Sequence, residues 1–89
     1  MNTATRIEAA LREAFTPTEF SLTDESHLHV GHAGARGGGG HYRVRLVSPR
    51  FAGVGLVDRH RAVYQCLAEE MRGAVHALAL TTLAPGEPG

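Results

Sequence analysis

The chain of 89 residues contains no lysine, no tryptophan and a single cysteine, and it has no long run of apolar residues. Because Cys66 has no second cysteine to pair with, the fold does not depend on an oxidising compartment. No stretch approaches the ~20 apolar residues needed to cross a membrane, and the first residues lack the apolar core of a signal peptide. We therefore expect one small cytoplasmic domain without membrane attachment.

The charge of the chain is balanced overall but uneven along its length. Nine arginines oppose nine acidic residues, and six of those arginines lie within residues 36–61 against Asp58 alone, which gives that segment a charge of +5. A basic segment suits a nucleic acid or an acidic partner, and an ordinary solvated face carries the same pattern. Composition alone does not choose between these interpretations.

Histidine is abundant where cysteine is scarce. Six of the 89 residues are histidine, and four of these share one glycine-rich stretch: His27, His29, His32 and His41. Imidazole is the commonest metal ligand in proteins, and its charge changes nearest neutral pH. A metal centre built on these histidines would need further ligands from other protein groups or from a partner molecule.

Two segments show the helical period. Ile7, Leu11 and Phe15 recur every four residues, which predicts a helix over about 5–15, and Thr5 and Glu8 have the spacing of a capping box at its start. A second stripe predicts a helix over about 56–72, with Gly73 at its end. The members of this stripe are Leu56, His60, Val63, Leu67 and Met71.

Three segments have the pattern of strands. Residues 19–24 and 41–48 alternate apolar and polar side chains, and residues 75–83 are apolar on both faces, which predicts a well-covered position in the sheet. The second helix is long enough to bring the last strand parallel to a neighbour, while the first two strands pair antiparallel. We predict an α+β fold, a two-layer αββ(α)αβ sandwich with a three-stranded mixed sheet and both long helices on one face.

The sequence shows no sign of catalytic machinery. A nucleotide-binding glycine loop must lead into a helix, but here a strand follows the glycines. Cys66 lies near the buried side of a helix, where it is expected to act as a small apolar side chain. We predict that the chain is not an enzyme. The glycine-rich residues 31–40 are expected to be the least ordered internal segment, because ordering them costs conformational entropy.

The position of His76 is ambiguous by pattern alone. Strict alternation groups it with Leu78 and Leu80 on one face of the last strand, whereas the first residue of a strand often escapes burial. We expect His76 to be accessible to solvent.

Several motifs along the chain resemble the BolA family, and they occur in that family's order from residue 6 to residue 83. The resemblance implies a class II KH-like fold, with a BolA-like domain over residues 1–84, and the proline and glycine residues after it predict a disordered tail over 85–89. The motifs are Asp24-Glu25-Ser26, His41-Tyr-Arg-Val44, Val47-Ser-Pro-Arg-Phe51-Ala-Gly53, Arg59-His-Arg61-Ala-Val-Tyr64, Leu67-Ala-Glu-Glu70 and Val75-His-Ala-Leu-Ala-Leu80.

The first function implied by the resemblance is partnership with a monothiol glutaredoxin. The two proteins share a glutathione-ligated [2Fe–2S] cluster in iron–sulfur trafficking or iron sensing. Glutaredoxin and glutathione supply thiolates, and the BolA-like chain supplies the histidine of its Val-His-Ala-Leu motif, here His76. A second ligand comes from the loop between the first two strands; its distance from Ser26 assigns it to His29, with His32 as the alternative. Mixed histidine and thiolate ligation of such a cluster is chemically sound.

The second implied function is that of a transcriptional regulator, tied to stress and morphology, that binds DNA directly. Phosphate contacts would come from the basic segment, through Arg43, Arg45, Arg59 and Arg61. The Gly-x-x-Gly turn with which KH domains clamp nucleic acid is absent, since only Gly53-Val-Gly55 follows Phe51. We favour the glutaredoxin partnership, although the two roles are compatible in one protein.

Overall fold

A computed structural model of the chain describes residues 2–26 and 40–89. The remaining segment, residues 27–39, contains His27, His29 and His32. The predicted loop ligands therefore lie outside the described residues. The same holds for the predicted least ordered segment, apart from Gly40.

The first helix, α1, spans Thr3–Phe15. It begins two residues earlier than predicted because Asn2 caps it, its side-chain oxygen accepting a hydrogen bond from the Thr5 amide at 2.8 Å. The predicted capping box of Thr5 and Glu8 is therefore wrong. Glu8 instead accepts a hydrogen bond from Arg12 one turn further along, at 2.7 Å.

Three strands form one sheet in the order β1–β2–β3, with β1 at Glu19–Asp24, β2 at Gly40–Val47 and β3 at Val75–Leu83. The antiparallel pairing of β1 with β2 and the parallel pairing of β3 with β2 confirm the predicted α+β fold. The well-covered position belongs to β2, however, because β3 lies at an edge of the sheet. The prediction for β3 was wrong because its second apolar face carries small residues, such as Ala77, that tolerate exposure to solvent.

The crossover between β2 and β3 contains a short 3₁₀ helix, Pro49–Phe51, and the helices α2, Leu56–Cys66, and α3, Ala68–Arg72. The sequence predicts one helix here, but the chain breaks at Leu67, whose backbone has φ −102° and ψ 23°. None of the helices within residues 2–26 and 40–89 is long and apolar enough to cross a membrane.

One apolar core lies between the helices and a single face of the sheet. Leu56, placed in the apolar stripe by its spacing, is 62% exposed because it begins α2 beyond the edge of that core. Of the other four stripe residues, Val63 and Leu67 are fully buried, whereas His60 and Met71 are partly buried. The core joins Val63 and Leu67 to Ile7, Leu11, Phe15, Tyr42, Val44, Leu46, Phe51 and Val75.

A buried arginine connects the crossover to the C-terminal tail. Arg59, only 8% exposed, donates from Nε to the Val54 carbonyl at 2.7 Å and from Nη1 to the Thr82 carbonyl at 3.1 Å. Its two terminal nitrogens also bind the carboxylate of Glu87, at 2.6 and 2.9 Å. The Ala84 amide donates to the same carboxylate at 2.8 Å.

These contacts bear on two predictions. Glu87, which lies in the tail predicted to be disordered over residues 85–89, is bound by Arg59 and by the Ala84 amide, and the disorder of the tail stays a prediction. Arg59, which the sequence placed on a nucleic-acid-binding surface, has its guanidinium committed to the Val54 and Thr82 carbonyls and to Glu87 inside the fold. Such a committed and buried group is not free to meet a phosphate.

The Arg59–Glu87 pair predicts a loss of stability in acid. The hydrogen bond from Arg59, together with that from the Ala84 amide, lowers the pKa of Glu87 from 4.5 to about 2. A carboxyl with a depressed pKa stabilises the folded chain above its ordinary pKa, and the contribution disappears as the pH falls through the folded value. We expect Glu87→Gln to melt below the wild type at pH 6, and the difference to vanish between pH 4.5 and 2.

Thermal unfolding followed by circular dichroism at several pH values measures this difference. Glu69→Gln is the matched control, because the Glu69 side chain is 88% exposed and lies 3.6 Å from Arg72. A Glu87→Gln deficit that persists unchanged at pH 2 would show that the ionised carboxylate is not its cause.

Candidate metal-binding site

A β-bulge at the start of β3 places His76 on the surface. Gly40 of β2 pairs with Val75, but the next residue, His41, pairs with Ala77, so that β3 carries one extra residue, His76. An extra residue interrupts the alternation of a strand and redirects its side chains. Val75 is buried and His76 is exposed, which confirms the predicted accessibility of His76.

The glycine beside the bulge is there for a steric reason. A Cβ atom at Gly40 would lie 2.5 Å from Cε2 of Tyr42, and the Tyr42 side chain is buried in the core and cannot move away. The Gly40 amide also donates to the Ala74 carbonyl at 2.9 Å, which holds the two chain segments together just before the bulge. This last glycine of the glycine-rich run thus has a structural role that composition does not reveal.

A second imidazole lies beside His76. The ring centroids of His41 and His76 are 5.1 Å apart, with an angle of 47° between the ring planes. The segment after β1 holds the backbone of His41: its amide donates to Ser26 Oγ at 3.0 Å, and its carbonyl accepts from the Glu25 amide at 2.7 Å. Sequence reasoning placed His41 only on the polar face of its strand and missed this pairing, which depends on the register of β2 against β3.

The two imidazoles do not form a complete metal site by themselves. Among the residues that the structure describes, no group of three or more histidine, cysteine, aspartate or glutamate side chains is placed to hold a metal ion. The half-buried thiol of Cys66 lies 3.6 Å from the Ala10 carbonyl. Burial raises its pKa, and the carboxylates of Glu70 and Glu13 raise it further. Cys66 is therefore held as a neutral thiol, in agreement with the predicted apolar role.

The four arginines predicted to bind nucleic acid do not share one surface. Arg43 and Arg45 lie on the sheet face opposite the helices, where Arg43 pairs with Glu25 at 3.1 Å and Arg45 with Glu19 at 3.0 Å. Arg61 belongs to the helical layer on the other side of the sheet. With Arg59 buried, only Arg43 and Arg45 remain as neighbours on an open face.

A three-stranded mixed sheet covered on one face by its helices, with a histidine at the start of the last strand, describes a class of small α+β domains. The family model described as BolA-like protein matches residues 11–87. The chain therefore belongs to the BolA family.

Relatives and solved structures agree with this assignment. The DNA-binding transcriptional regulator BolA of Escherichia coli (strain K12) is 48% identical over 77 residues, which cover 86% of this chain and 70% of that protein. The structure of BolA1 from Arabidopsis thaliana is 38% identical and matches 100% of this chain and 98% of that chain, with a TM-score of 0.86. The BolA domain of SufE1 from Arabidopsis thaliana is 33% identical and matches 99% of both chains, with a TM-score of 0.84.

Some relatives are much longer than this chain. It spans 56% of the length of Protein BOLA1, chloroplastic, and 24% of SufE-like protein 1, chloroplastic/mitochondrial, both from Arabidopsis thaliana. The shared part is therefore the BolA-like domain itself.

Because of the bulge, we expect alanine substitutions of two neighbouring residues to have different effects on the free energy of unfolding. His76→Ala removes an exposed side chain, so we expect a change in unfolding free energy of less than about 1 kcal/mol. Val75→Ala removes two methyl groups from the core and is expected to cost about 2 kcal/mol. Urea unfolding of both variants measures these changes, and equal losses would contradict the placement of His76 outside the core.

Proposed function

We propose that this BolA-like chain is a partner protein that shares a glutathione-ligated [2Fe–2S] cluster with a monothiol glutaredoxin, in iron–sulfur trafficking or iron sensing. The observation that carries the proposal is the exposed His76, placed by a bulge at the start of an edge strand and lying beside a second imidazole. A ligand in this position is accessible to a partner without unfolding the sheet.

The donor set of the chain fits a shared centre better than a centre of its own. The described residues bring together two imidazoles, while the single thiol is kept protonated within the helical layer. Metal ligation by cysteine requires the thiolate, so the thiolates of the centre would come from glutaredoxin and glutathione. Replacing thiolate by neutral imidazole raises the reduction potential of a [2Fe–2S] centre.

Within this proposal the chain acts by presenting ligands. His76 is the first of them. The resemblance assigns the second to His29 or, alternatively, to His32, and both stay predictions because they lie outside the described residues. A protein with this role forms and breaks no covalent bond in a substrate, so we propose a binding partner rather than an enzyme.

Reconstitution of the heterocomplex tests the role of His76. The purified chain is mixed with a monothiol glutaredoxin, glutathione, ferrous iron and sulfide, and the product is followed by visible absorption and circular dichroism. We expect a spectrum that differs from that of glutaredoxin alone, and we expect His76→Ala to abolish that difference because the exposed imidazole is lost. Among the loop variants, His29→Ala is expected to alter the spectrum more than His32→Ala.

The control for this experiment is His60→Ala. It also removes one imidazole, but His60 lies on α2, in the helical layer, and not at the start of β3. A mixed spectrum that survives His76→Ala unchanged would overturn the assignment of His76.

Direct DNA binding is the second candidate function, favoured by the name of the Escherichia coli relative. In this chain it would use Arg43 and Arg45, which lie side by side on the open face of the sheet. Each would have to exchange its glutamate for a phosphate. Exposed ion pairs contribute only about 0.2–1 kcal/mol, so this exchange is energetically feasible.

Replacing Arg43 and Arg45 by alanine tests this candidate. If they bind phosphates, we expect weaker DNA binding and a salt dependence that is flatter by about 0.9 log unit for each phosphate that is no longer neutralised. Fluorescence anisotropy of a labelled duplex at several salt concentrations measures both quantities.

The matched control replaces Arg12 and Arg72, two exposed arginines of the helices, and Arg61→Ala tests the remaining predicted phosphate ligand. Equal losses of affinity in the two double variants would point to net charge rather than to the sheet face. A wild type that does not bind at ~150 mM salt would remove DNA binding as a function of this chain.

A further inference from the structure

We propose that a second copy of this chain adds its own β1 to the outer edge of β1, antiparallel and centred on Ser21, so that two three-stranded sheets become one continuous sheet. The outer edge of β1 lies across the sheet from β3 and His76. The inference therefore concerns a different surface from the candidate metal-binding site and does not depend on the proposed cluster sharing.

The backbone of β1 directs alternate residues away from β2. The Glu25 amide donates to the His41 carbonyl at 2.7 Å, in the same register as the pairs of the two strands. In an antiparallel ladder, residues that bond to the partner strand alternate with residues whose backbone groups do not. The odd-numbered residues of β1 therefore face β2, whereas Phe20 and Leu22 direct their amides and carbonyls outward.

The two edges of the sheet differ in how their backbone groups are covered. At the β3 edge, Tyr64 donates to the Leu78 carbonyl at 3.3 Å, and Arg59 donates to the Thr82 carbonyl at 3.1 Å. Within residues 2–26 and 40–89, no side chain makes a comparable hydrogen bond to the two outward-facing residues of β1. An edge strand with such open groups is a template for another strand.

The apolar side chains at this edge are only partly covered. Phe20 and Leu22 pack against the core from the sheet but remain half-buried, and the guanidinium carbon of Arg12 lies 5.0 Å from the centre of the Phe20 ring. In a pairing centred on Ser21, Phe20 of each copy lies opposite Leu22 of the other. The apolar layer then continues from one copy into the next.

Hydrogen bonding and charge both fit the pairing centred on Ser21. The two outward amides and two outward carbonyls of each copy bond to those of the other, since each of Phe20 and Leu22 has one donor and one acceptor. On the open face of the sheet, Ser21 lies opposite Ser21, and Glu19 lies opposite Thr23. No two like charges face each other.

The neighbouring registers are less favourable. A pairing centred on Leu22 would place Glu19 of each copy opposite Glu25 of the other, and like charges directly opposite are destabilising. A pairing centred on Phe20 would require the Thr18 amide, which is already hydrogen-bonded to β2. One short strand pair buries less than the about 1,200 Å² of a standard interface, so we expect a weak dimer that depends on concentration.

Analytical ultracentrifugation of the full chain from about 10 µM to about 1 mM tests the dimer. We expect the apparent mass to rise with concentration from the 9.5 kDa of one chain towards twice that value. Ser21→Lys places two lysines opposite each other at the centre of the pairing and should raise the dissociation constant at least about tenfold.

The matched control is Thr81→Lys, which should dimerise like the wild type. Ser21 of β1 and Thr81 of β3 are both exposed and both pair with Arg45, so each variant places a lysine beside the same arginine. Only Ser21→Lys places it at the β1 edge.

Disulfide mapping tests the register in a Cys66→Ser background. Opposite residues of a pair that does not exchange hydrogen bonds have Cα atoms about 4.5 Å apart, which a disulfide can span. We therefore expect mild oxidation to link Ser21→Cys into a dimer. Thr23→Cys should link far less, because Thr23 faces Glu19, and Thr81→Cys should not link, because it lies on the other edge strand.

Three results would overturn the inference: a wild type that stays monomeric at about 1 mM, equal weakening by Ser21→Lys and Thr81→Lys, or linking of Thr23→Cys in place of Ser21→Cys. Equal weakening would show that net charge or another surface controls association. Circular dichroism of each variant establishes that it is folded. If Ser21→Lys does not fold, Ser21→Cys, which replaces one oxygen by sulfur, decides the question.

Discussion

The parallel pairing of β2 with β3 is the constraint on which both the fold and the candidate site depend. It requires a crossover, and the crossover helices are what cover the sheet and build the core with α1. It also sets the register in which β3 carries one residue more than β2 at its start. A single backbone feature therefore directs Val75 into the core and His76 to the surface. The position of His76 is therefore a consequence of sheet geometry.

Arg59 shows how a basic residue can serve the fold instead of a partner. Its guanidinium satisfies carbonyl groups at the start of the crossover and at the end of β3, and the carboxylate of Glu87 compensates its charge. A buried charge without such partners would be strongly destabilising. Tyr64, one turn further along α2, donates to the Leu78 carbonyl at 3.3 Å. Together these two side chains engage backbone groups of the edge strand β3, which would otherwise be available to another strand.

The scarcity of cysteine agrees with the composition of the candidate site, which consists of imidazoles. The one thiol is kept protonated by burial and by neighbouring carboxylates, whereas two imidazoles lie side by side where β2 and β3 begin. These properties support the proposed cluster sharing, in which the chain would offer nitrogen ligands and its partner the sulfur ligands. The same sheet carries Arg43 and Arg45 on its open face, each already paired with a glutamate of the β1 region. The strand register explains why the two histidines lie together. The two arginines of the open face, in contrast, are held in ion pairs with glutamates.

Local pattern was sufficient for much of the architecture. The apolar period of α1, the bounds of β1 and β3, and the mixed pairing of the sheet follow from the sequence, because side-chain periodicity and crossover length are local properties. The break at Leu67, the burial of Arg59 and its pairing with Glu87 do not follow, because each depends on contacts between segments far apart in the chain. The same holds for the site. The sequence by itself indicated that histidine was the side chain to consider for any metal chemistry, and only the resemblance to the BolA family singled out His76. Only the tertiary structure decided that His41 is its neighbour, because their proximity arises from the register between two strands separated by the whole crossover.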